Sequence, residues 1–425
     1  MTDAGTRRPD GDLRLVTVDP GDLDALRPWV DNATTTFQSP RATPEQVAWR
    51  QERFADQRLW AVRDGEATVA TFRSFDSHLD VPGGRVPANA ISSVTVLATH
   101  RRRGLLRRWT AEELPRAAAA GDPVSILIAS EASIYGRFGF GVATTACSWE
   151  LDARTASFRG PRAGTVEVVS SQTFAAHAPA AYERARVRHP GAIDRSALWW
   201  DVASHVCPGP EEPDRRRVWV LHRDADGVVD GALFYSVKPV WEERVSRSVL
   251  DVGSLVAASD GAYADLWRYC AEVDFITTVR AEDRSPDEPL PWLLTDPRAA
   301  RSGPVSDFLW VRLHDVPAAL TARRYPLPGR LVLQVDDDLP AATVRGRGAG
   351  RWLLDVAADG TATCTPTDDA AELRLGVDAL ASLWLGGVRP DVLARSGSLA
   401  GDAAAVARAG ALFSWSDPAF CGTWF

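Results

Sequence analysis

One continuous run, Val94-Thr95-Val96-Leu97-Ala98-Thr99-His100-Arg101-Arg102-Arg103-Gly104-Leu105-Leu106-Arg107-Arg108-Trp109, carries the densest chemistry in the chain. A β-branched strand pattern passes through a short loop into three arginines, a glycine and a helical pattern that reaches Ala120. Cations sit badly at a helix N-terminus, because the macrodipole already places partial positive charge there. Arginines crowded onto that end make sense when an anion sits on the free backbone N–H groups, and Gly104 lets the backbone come close. The spacing predicts a pyrophosphate cradle.

Other chemistries lack their residues. The five cysteines (Cys147, Cys207, Cys270, Cys364, Cys421) are dispersed with no C-x-x-C pair, so they read as small buried hydrophobes in a reducing compartment. The seven histidines show no metal spacing, and no metal is expected. Gly346-Arg347-Gly348-Ala349-Gly350 lacks the G-x-G-x-x-G spacing, and strand-like residues follow it (Trp352, Leu354, Val356), which reads as a hairpin or bulge. A net charge of −8 argues against nucleic acid as the main partner and weakly favours cationic small substrates. No apolar run approaches the ~18 residues of a membrane helix, and Met1 to Arg8 lack a signal peptide's apolar core, so no membrane partner and a cytoplasmic location are expected.

A chain of 425 residues is long enough for two or three domains. The first third reads as a mixed sheet with helices on its faces. Its strands are Leu13–Val18, Leu59–Arg63, Thr68–Phe75, Ala88–Leu97, Val124–Ser130 and, to finish, Ala143–Leu151. An Asp64-Gly65 turn joins the second and third strands. From Val166 to Leu313 a similar order returns, but its equivalent loop, Ala257-Ala258-Ser259-Asp260-Gly261-Ala262, carries an acid where the first has arginines and should repel phosphate. After a proline-rich join (Pro317, Pro326, Pro328) the last segment reads as strands and hairpins with two helices, Val377–Leu385 and Ala403–Phe413.

Arg101-x-x-Gly104-x-Leu106 after a strand resembles the Gln/Arg-x-x-Gly-x-Gly/Ala loop of the GCN5-related N-acetyltransferase (GNAT) superfamily, with Leu106 departing at the last position. Ile134-Tyr135-Gly136-Arg137-Phe138-Gly139-Phe140-Gly141 resembles the Tyr-x-Arg-Phe-Gly-Phe segment of the same superfamily. Together these motifs, and the order of the whole chain, look like the Eis (enhanced intracellular survival) acetyltransferases. The resemblance implies an α/β fold of two tandem GNAT-like domains (1–155 catalytic, 156–313 degenerate) and a sterol-carrier-protein-like domain (314–425).

It also implies the site. Backbone of Val94, Thr95 and Val96 would pair with the pantetheine arm of acetyl-CoA. Amides from Arg102 through Gly104, Leu105, Leu106 and Arg107, with the Arg101, Arg102 and Arg103 side chains, would hold the pyrophosphate, and Ser130 and Glu131 would line the thioester channel. Tyr135 would be the general acid and the terminal carboxylate of Phe425 the base, while Phe37 and Trp49 would wall the acceptor pocket. The loop between those two aromatics, Gln38-Ser39-Pro40-Arg41, carries no acid for a polyamine. The implied activity is acetylation of small polycationic amines, aminoglycosides first, by direct attack on the thioester, in a homo-hexamer. Two alternatives stay open: acetylation of protein lysines, and a lipid-binding or scaffold protein without catalysis.

Overall fold

Short polar residues open most of the helices. Asp22 accepts hydrogen bonds from the Asp24 and Ala25 amides ahead of α1 (Leu23–Thr36). Thr43 and Gln46 form a reciprocal capping box at α2 (Pro44–Arg53). The first segment then runs through β1 (Leu13–Val18, before α1), β2 (Arg58–Asp64), β3 (Ala67–Val81), β4 (Gly84–Val96), α3 (Leu105–Ala120), β5 (Val124–Ile128), β6 (Gly141–Val142) and β7 (Thr145–Asp152). Next come β8 (Thr165–Val169), α4 (Ser171–Arg186), α5 (Ala197–Ala203), β9 (Val218–Arg223), β10 (Val229–Lys238), a small hairpin of β11 (Trp241–Glu242) and β12 (Val245–Ser246), and β13 (Ser248–Ala257). They are followed by α6 (Asp260–Glu272), β14 (Ile276–Arg284), α7 (Leu290–Leu293), β15 (Ala300–Ser302), β16 (Ser306–Asp307) and β17 (Leu309–Leu313). The last segment holds α8 (Val316–Ala322), β18 (Gly329–Asp336), β19 (Gly350–Val356), β20 (Ala362–Pro366), β21 (Leu373–Gly376), α9 (Val377–Trp384), α10 (Pro390–Ser396), β22 (Leu399–Gly401) and α11 (Ala403–Phe413). This computed structural model describes residues 13–205, 216–339 and 347–425; Cys207, Gly346 and the Met1–Arg8 segment lie outside the described residues.

The first two segments exchange strands. The first sheet has the order β1-β2-β3-β4-β5-β17-β6, so a strand from near residue 310 sits beside β5, antiparallel from Leu309↔Ile128 to Leu313↔Val124. In return β7, expected to finish the first sheet, lies in the second between β14 and β15. Both exchanged strands are buried in the sheets that receive them. Cys147, Trp149 and Leu151 of β7 belong to the core around Leu250, Trp267 and Val279. Leu309, Val311 and Leu313 of β17 are fully buried and need an interior position.

Strand β3 runs six residues beyond the expected Phe75, to Val81. The added stretch, Asp76–Val81, is held in the sheet by partners from both domains. Ser77 Oγ donates to Asp194 at 2.6 Å, and buried Asp80 is held by Arg186 Nε at 2.6 Å and Arg85 Nε at 2.8 Å. The third domain carries the sheet β20-β19-β18-β21-β22. Its core is continuous with the base of the first sheet: Leu79, Ala88 and Val311 share a cluster with Leu320, Leu333, Leu380 and Trp384. Pro317 is no linker residue. It occupies the first turn of α8, where its missing N–H costs nothing, and Pro390 does the same for α10.

Because β17 completes the first sheet, residues 1–155 expressed alone should leave the β5 edge bare and fail to show a cooperative thermal transition by circular dichroism. A cooperative melt of that fragment would contradict the exchange.

Candidate active site

The site begins where two parallel strands part. β4 pairs with β5 from Ala88↔Val124 to Ile91↔Leu127 and no farther, while its other edge stays on β3 as far as Val96↔Ala70. Ser93 stands at φ +51° beside a register shift at Thr71/Arg73, a bulge that bends β4 away. The β5-facing backbone of Val94, Thr95 and Val96 is thereby left without a strand partner. Side chains lock the bend: Thr95 Oγ1 donates to Asn32 Oδ1 at 2.8 Å, and Thr71 Oγ1 donates to the Ser93 carbonyl at 3.1 Å.

Just beyond, α3 starts without the polar cap that opens α1, α2, α4, α5 and α6. Its N-cap is Gly104 at φ +73°, with no side-chain hydrogen bond to the first-turn amides. A Cβ at Gly104 would meet no atom within 4 Å, so glycine serves the left-handed backbone and the open approach. Arg102 also has positive φ, +64°, which curls the preceding loop. Arg102, Arg103 and Arg107 make no ion pair or side-chain hydrogen bond among the described residues, and Arg101 reaches only Glu131, at 3.5 Å and well exposed. Uncapped amides, a glycine and unpaired guanidinium groups fit a pyrophosphate. Leu106, at the position where the superfamily pattern has glycine or alanine, is half-buried against the cluster around Phe72 and Trp109, so its side chain leaves the amides open.

Beyond β5, Ser130 and Glu131 are exposed at the strand's end. Tyr135 opens the single turn Gly136–Phe138, with its ring edge-on to Phe140 at 6.0 Å and only 6% of its surface exposed. Its hydroxyl has no hydrogen-bond partner among the described residues. Burial, helped by the nearby Glu131 charge, pushes its pKa up to about 12, so it stays protonated throughout the neutral range. Gly139 of the same motif packs rather than binds: a Cβ there would lie 1.7 Å from Arg312 Nη1.

The chain's end arrives from the far side. The Phe420 amide donates to the Pro190 carbonyl at 2.8 Å, and Arg195 donates to Thr423 Oγ1 at 3.0 Å and to the Gly422 carbonyl at 3.1 Å. Trp424 Nε1 donates to Asp283 Oδ2 at 2.6 Å while its ring meets Phe308. Phe425 then crosses to the first domain, where Ser92 Oγ donates to its terminal oxygen at 2.9 Å and its ring meets Phe75 edge-on at 5.9 Å. Ser92 is the first β4 residue past the last β4–β5 pair, so the chain end lies at the mouth of the split.

Ser92, Ser93, Phe75, Arg195 and Asp283 escape a motif-based reading of the sequence. The one local signal is the Ser92-Ser93 pair interrupting an apolar strand. The structure does not join Phe37 and Trp49 to this group by any aromatic contact among the described residues. Phe37 is half exposed at the end of α1, and Arg53 covers the Trp49 ring at 5.2 Å.

The second domain repeats the split but not the cradle. β13 and β14 pair in parallel up to Val252↔Ala281 and then part, yet α6 is capped by Ser259, with Asp260 in its first turn. A cavity of about 630 Å³ lies there, bordered by Ser254, Arg195, Arg284, Phe420 and Trp424. Among the described residues no three His, Cys, Asp or Glu side chains gather as a metal site, and no helix is long and apolar enough to cross a membrane. Gly104→Ala should cost about 1 kcal/mol of stability through its left-handed backbone and weaken acetyl-CoA binding about tenfold or more in calorimetry. Undiminished binding would contradict the cradle.

The acetyltransferase (GNAT) domain family matches residues 17–143, a second acetyltransferase (GNAT) family matches 191–313, and the sterol carrier protein domain matches 316–422. N-acetyltransferase Eis of Mycobacterium tuberculosis is 37% identical over 379 residues, covering 86% of this chain and 87% of the relative. An uncharacterized N-acetyltransferase of Streptomyces avermitilis is 40% identical over 383 residues, 86% of this chain and 90% of the relative. Among solved structures, Eis1 from Mycobacterium abscessus superposes with a TM-score of 0.73 at 31% identity, over 86% of this chain and 90% of that one. A GCN5-related N-acetyltransferase from Anabaena variabilis shares the fold at a TM-score of 0.80 and 20% identity, over 97% of this chain and 100% of that one. The chain is thus an N-acetyltransferase belonging to the Eis family, with two GNAT domains followed by a sterol-carrier-protein domain, and its fold implies acetyl-CoA as co-substrate.

Proposed function

We propose that this enzyme transfers acetyl from acetyl-CoA to an amine of a small molecule in one direct step. The observation that carries the reading is the chain's own terminus, held by Ser92 where β4 leaves β5. Acetyl-CoA supplies the activated thioester. Amides of Leu105, Leu106 and Arg107, with the side chains of Arg101, Arg102, Arg103 and Arg107, hold the pyrophosphate. The freed backbone of Val94, Thr95 and Val96 takes the hydrogen bonds of the pantetheine arm, and Ser130 and Glu131 wall the opposite side. No cysteine or serine nucleophile belongs to either motif, so no covalent enzyme intermediate is assigned.

As the C–N bond forms and the C–S bond breaks, the amine sheds a proton and the sulfur gains negative charge. The Phe425 carboxylate accepts the proton, directly or through a water. A free carboxylate near pKa ~3.5 is a weak base for an ammonium near ~10, so the proton leaves as the C–N bond forms and the nitrogen becomes acidic. Tyr135 faces the other charge. With its pKa above that of a thiol (~8.5), it stabilises the departing sulfur mainly by hydrogen bonding as the charge develops.

The resemblance leads to polycationic acceptors, aminoglycosides first, and the net charge of −8 favours cationic small substrates only weakly. Four described cysteines are free and buried, in keeping with a cytoplasmic enzyme. The exposed apolar group Val240, Trp241, Val245 and Phe275 supports self-association, for which a hexamer is the expected state; a monomer in sedimentation would reject it.

Tyr135→Phe is expected to lower kcat about 100-fold or more with acetyl-CoA affinity nearly intact; unchanged kcat would remove its role. Since the acid form is the working form and its pKa is raised, ionisation of Tyr135 should cause no loss of rate between about pH 8 and pH 10. Residues appended after Phe425 should abolish most turnover by moving the carboxylate, and a fully active tagged enzyme would exclude it as the base.

A further inference from the structure

Among the described residues, Arg73 is a buried cation without a counter-charge. Five arginines in the described residues are less than a tenth exposed. Arg186 is paired with Asp80, Arg268 with Asp265 and Arg312 with Asp337, and Arg323 donates to the carbonyls of Trp384, Phe413 and Ser414. Arg73, 5% exposed, has only the Gln57 side-chain carbonyl, 2.7 Å from Nη1. Among the described residues its Nε is buried with no partner, and no carboxylate lies within 4 Å, the chain terminus included. Burial, then the nearby Arg53 charge, pulls its pKa down to about 9, the signature of an uncompensated charge.

Its place ties it to the acceptor side. Arg73 stands directly opposite Ser92 in the β3–β4 register, so both side chains emerge on one face. Ser92 holds the terminal oxygen, and Phe75 links the two groups: the guanidinium lies 5.1 Å from its ring, and Phe425 meets the same ring. Phe54, just after α2, covers the guanidinium at 4.9 Å. Both rings lie against the guanidinium, and its Nε is a donor still without a partner among the described residues. A planar fork of N–H donors matches a carboxylate in two parallel hydrogen bonds.

We propose that Arg73 is an anion receptor in the acceptor pocket, and that the preferred amine substrate carries a carboxylate which this guanidinium holds. This rests on the reading that the site acetylates an amine, and it narrows the acceptor away from purely cationic molecules. A buried cation beside the pocket would repel a polyamine and is relieved by a carboxylate. The absence of an acid in Gln38-Ser39-Pro40-Arg41 agrees.

The test is thiol release from acetyl-CoA with three acceptors of matched length: an ω-aminoalkanoate, its amide and the corresponding diamine, with an aminoglycoside alongside. The wild-type enzyme should favour the carboxylate over the amide by about tenfold or more in kcat/KM, mainly through KM, with the diamine last. Arg73→Gln should erase that ratio, and Arg73→Lys should keep part of it. Equal rates, or a preference for the diamine or the aminoglycoside, would overturn the proposal even if both variants misfold. So would an Arg73→Gln variant that lowers kcat for all three acceptors while keeping their KM ratio, the mark of a residue that only positions the chain end. An enzyme that binds acetyl-CoA but acetylates no amine of any charge would refute the acetyltransfer reading itself.

Discussion

A hydrogen bond between Ser92 and the last residue of the chain sets the terms for everything else in this fold. For Phe425 to reach β4, the third domain must dock on the base of the first sheet and the tail must cross the second domain. Each stage has its own fastening. Leu320, Leu380 and Trp384 merge their core with Leu79 and Val311, and Arg195 and Asp283 fix the tail on its way. The Asp80–Arg186 pair locks the first two domains together where both partners are buried, with Arg85 as a second partner of Asp80 and Glu183 of Arg186. The Ser92–Phe425 contact therefore forms only when all three domains are assembled.

The two GNAT domains divide the labour. Both sheets split between parallel strands, at Ile91/Leu127 and at Val252/Ala281. Only the first split faces a helix whose opening amides take no side-chain cap and beside which Arg102, Arg103 and Arg107 are unpaired among the described residues. In the second, Ser259 takes the amide that a phosphate would need and Asp260 adds like charge, while the split borders a cavity lined by the chain's tail. The second domain thus guides the tail, and the exchange of β7 and β17 keeps the two sheets in a fixed relation.

Local features were legible in the sequence, and features made by distant parts of the chain were not. The Arg101–Gly104 loop and the Tyr135 turn show in composition because a few adjacent residues make them. The helices over Leu105–Ala120 and Ala403–Phe413 follow from their periodicity, their glycine or aspartate starts and their flanking breakers. Strand exchange left no such trace, since Trp149 and Leu309 are apolar whichever sheet receives them. The end of β3 escapes the sequence because Ser77 and Asp80 are polar, and two of the partners that make them acceptable, Asp194 and Arg186, lie more than a hundred residues away. Arg73 is the sharpest case: a charge in a strand reads as a solvent-facing position, and only the rings of Phe54 and Phe75 show that it is enclosed.

The proposed acetyltransfer needs a nucleotide thioester in the β4–β5 split with its phosphates on the opening turn of α3. A crystal structure with bound coenzyme A tests it most directly. The account requires the pyrophosphate on the Leu105–Arg107 amides and the sulfur between the Tyr135 hydroxyl and the Phe425 carboxylate. Coenzyme A seated instead in the cavity beside Arg195 and Arg284, with the arginine turn untouched, would contradict it.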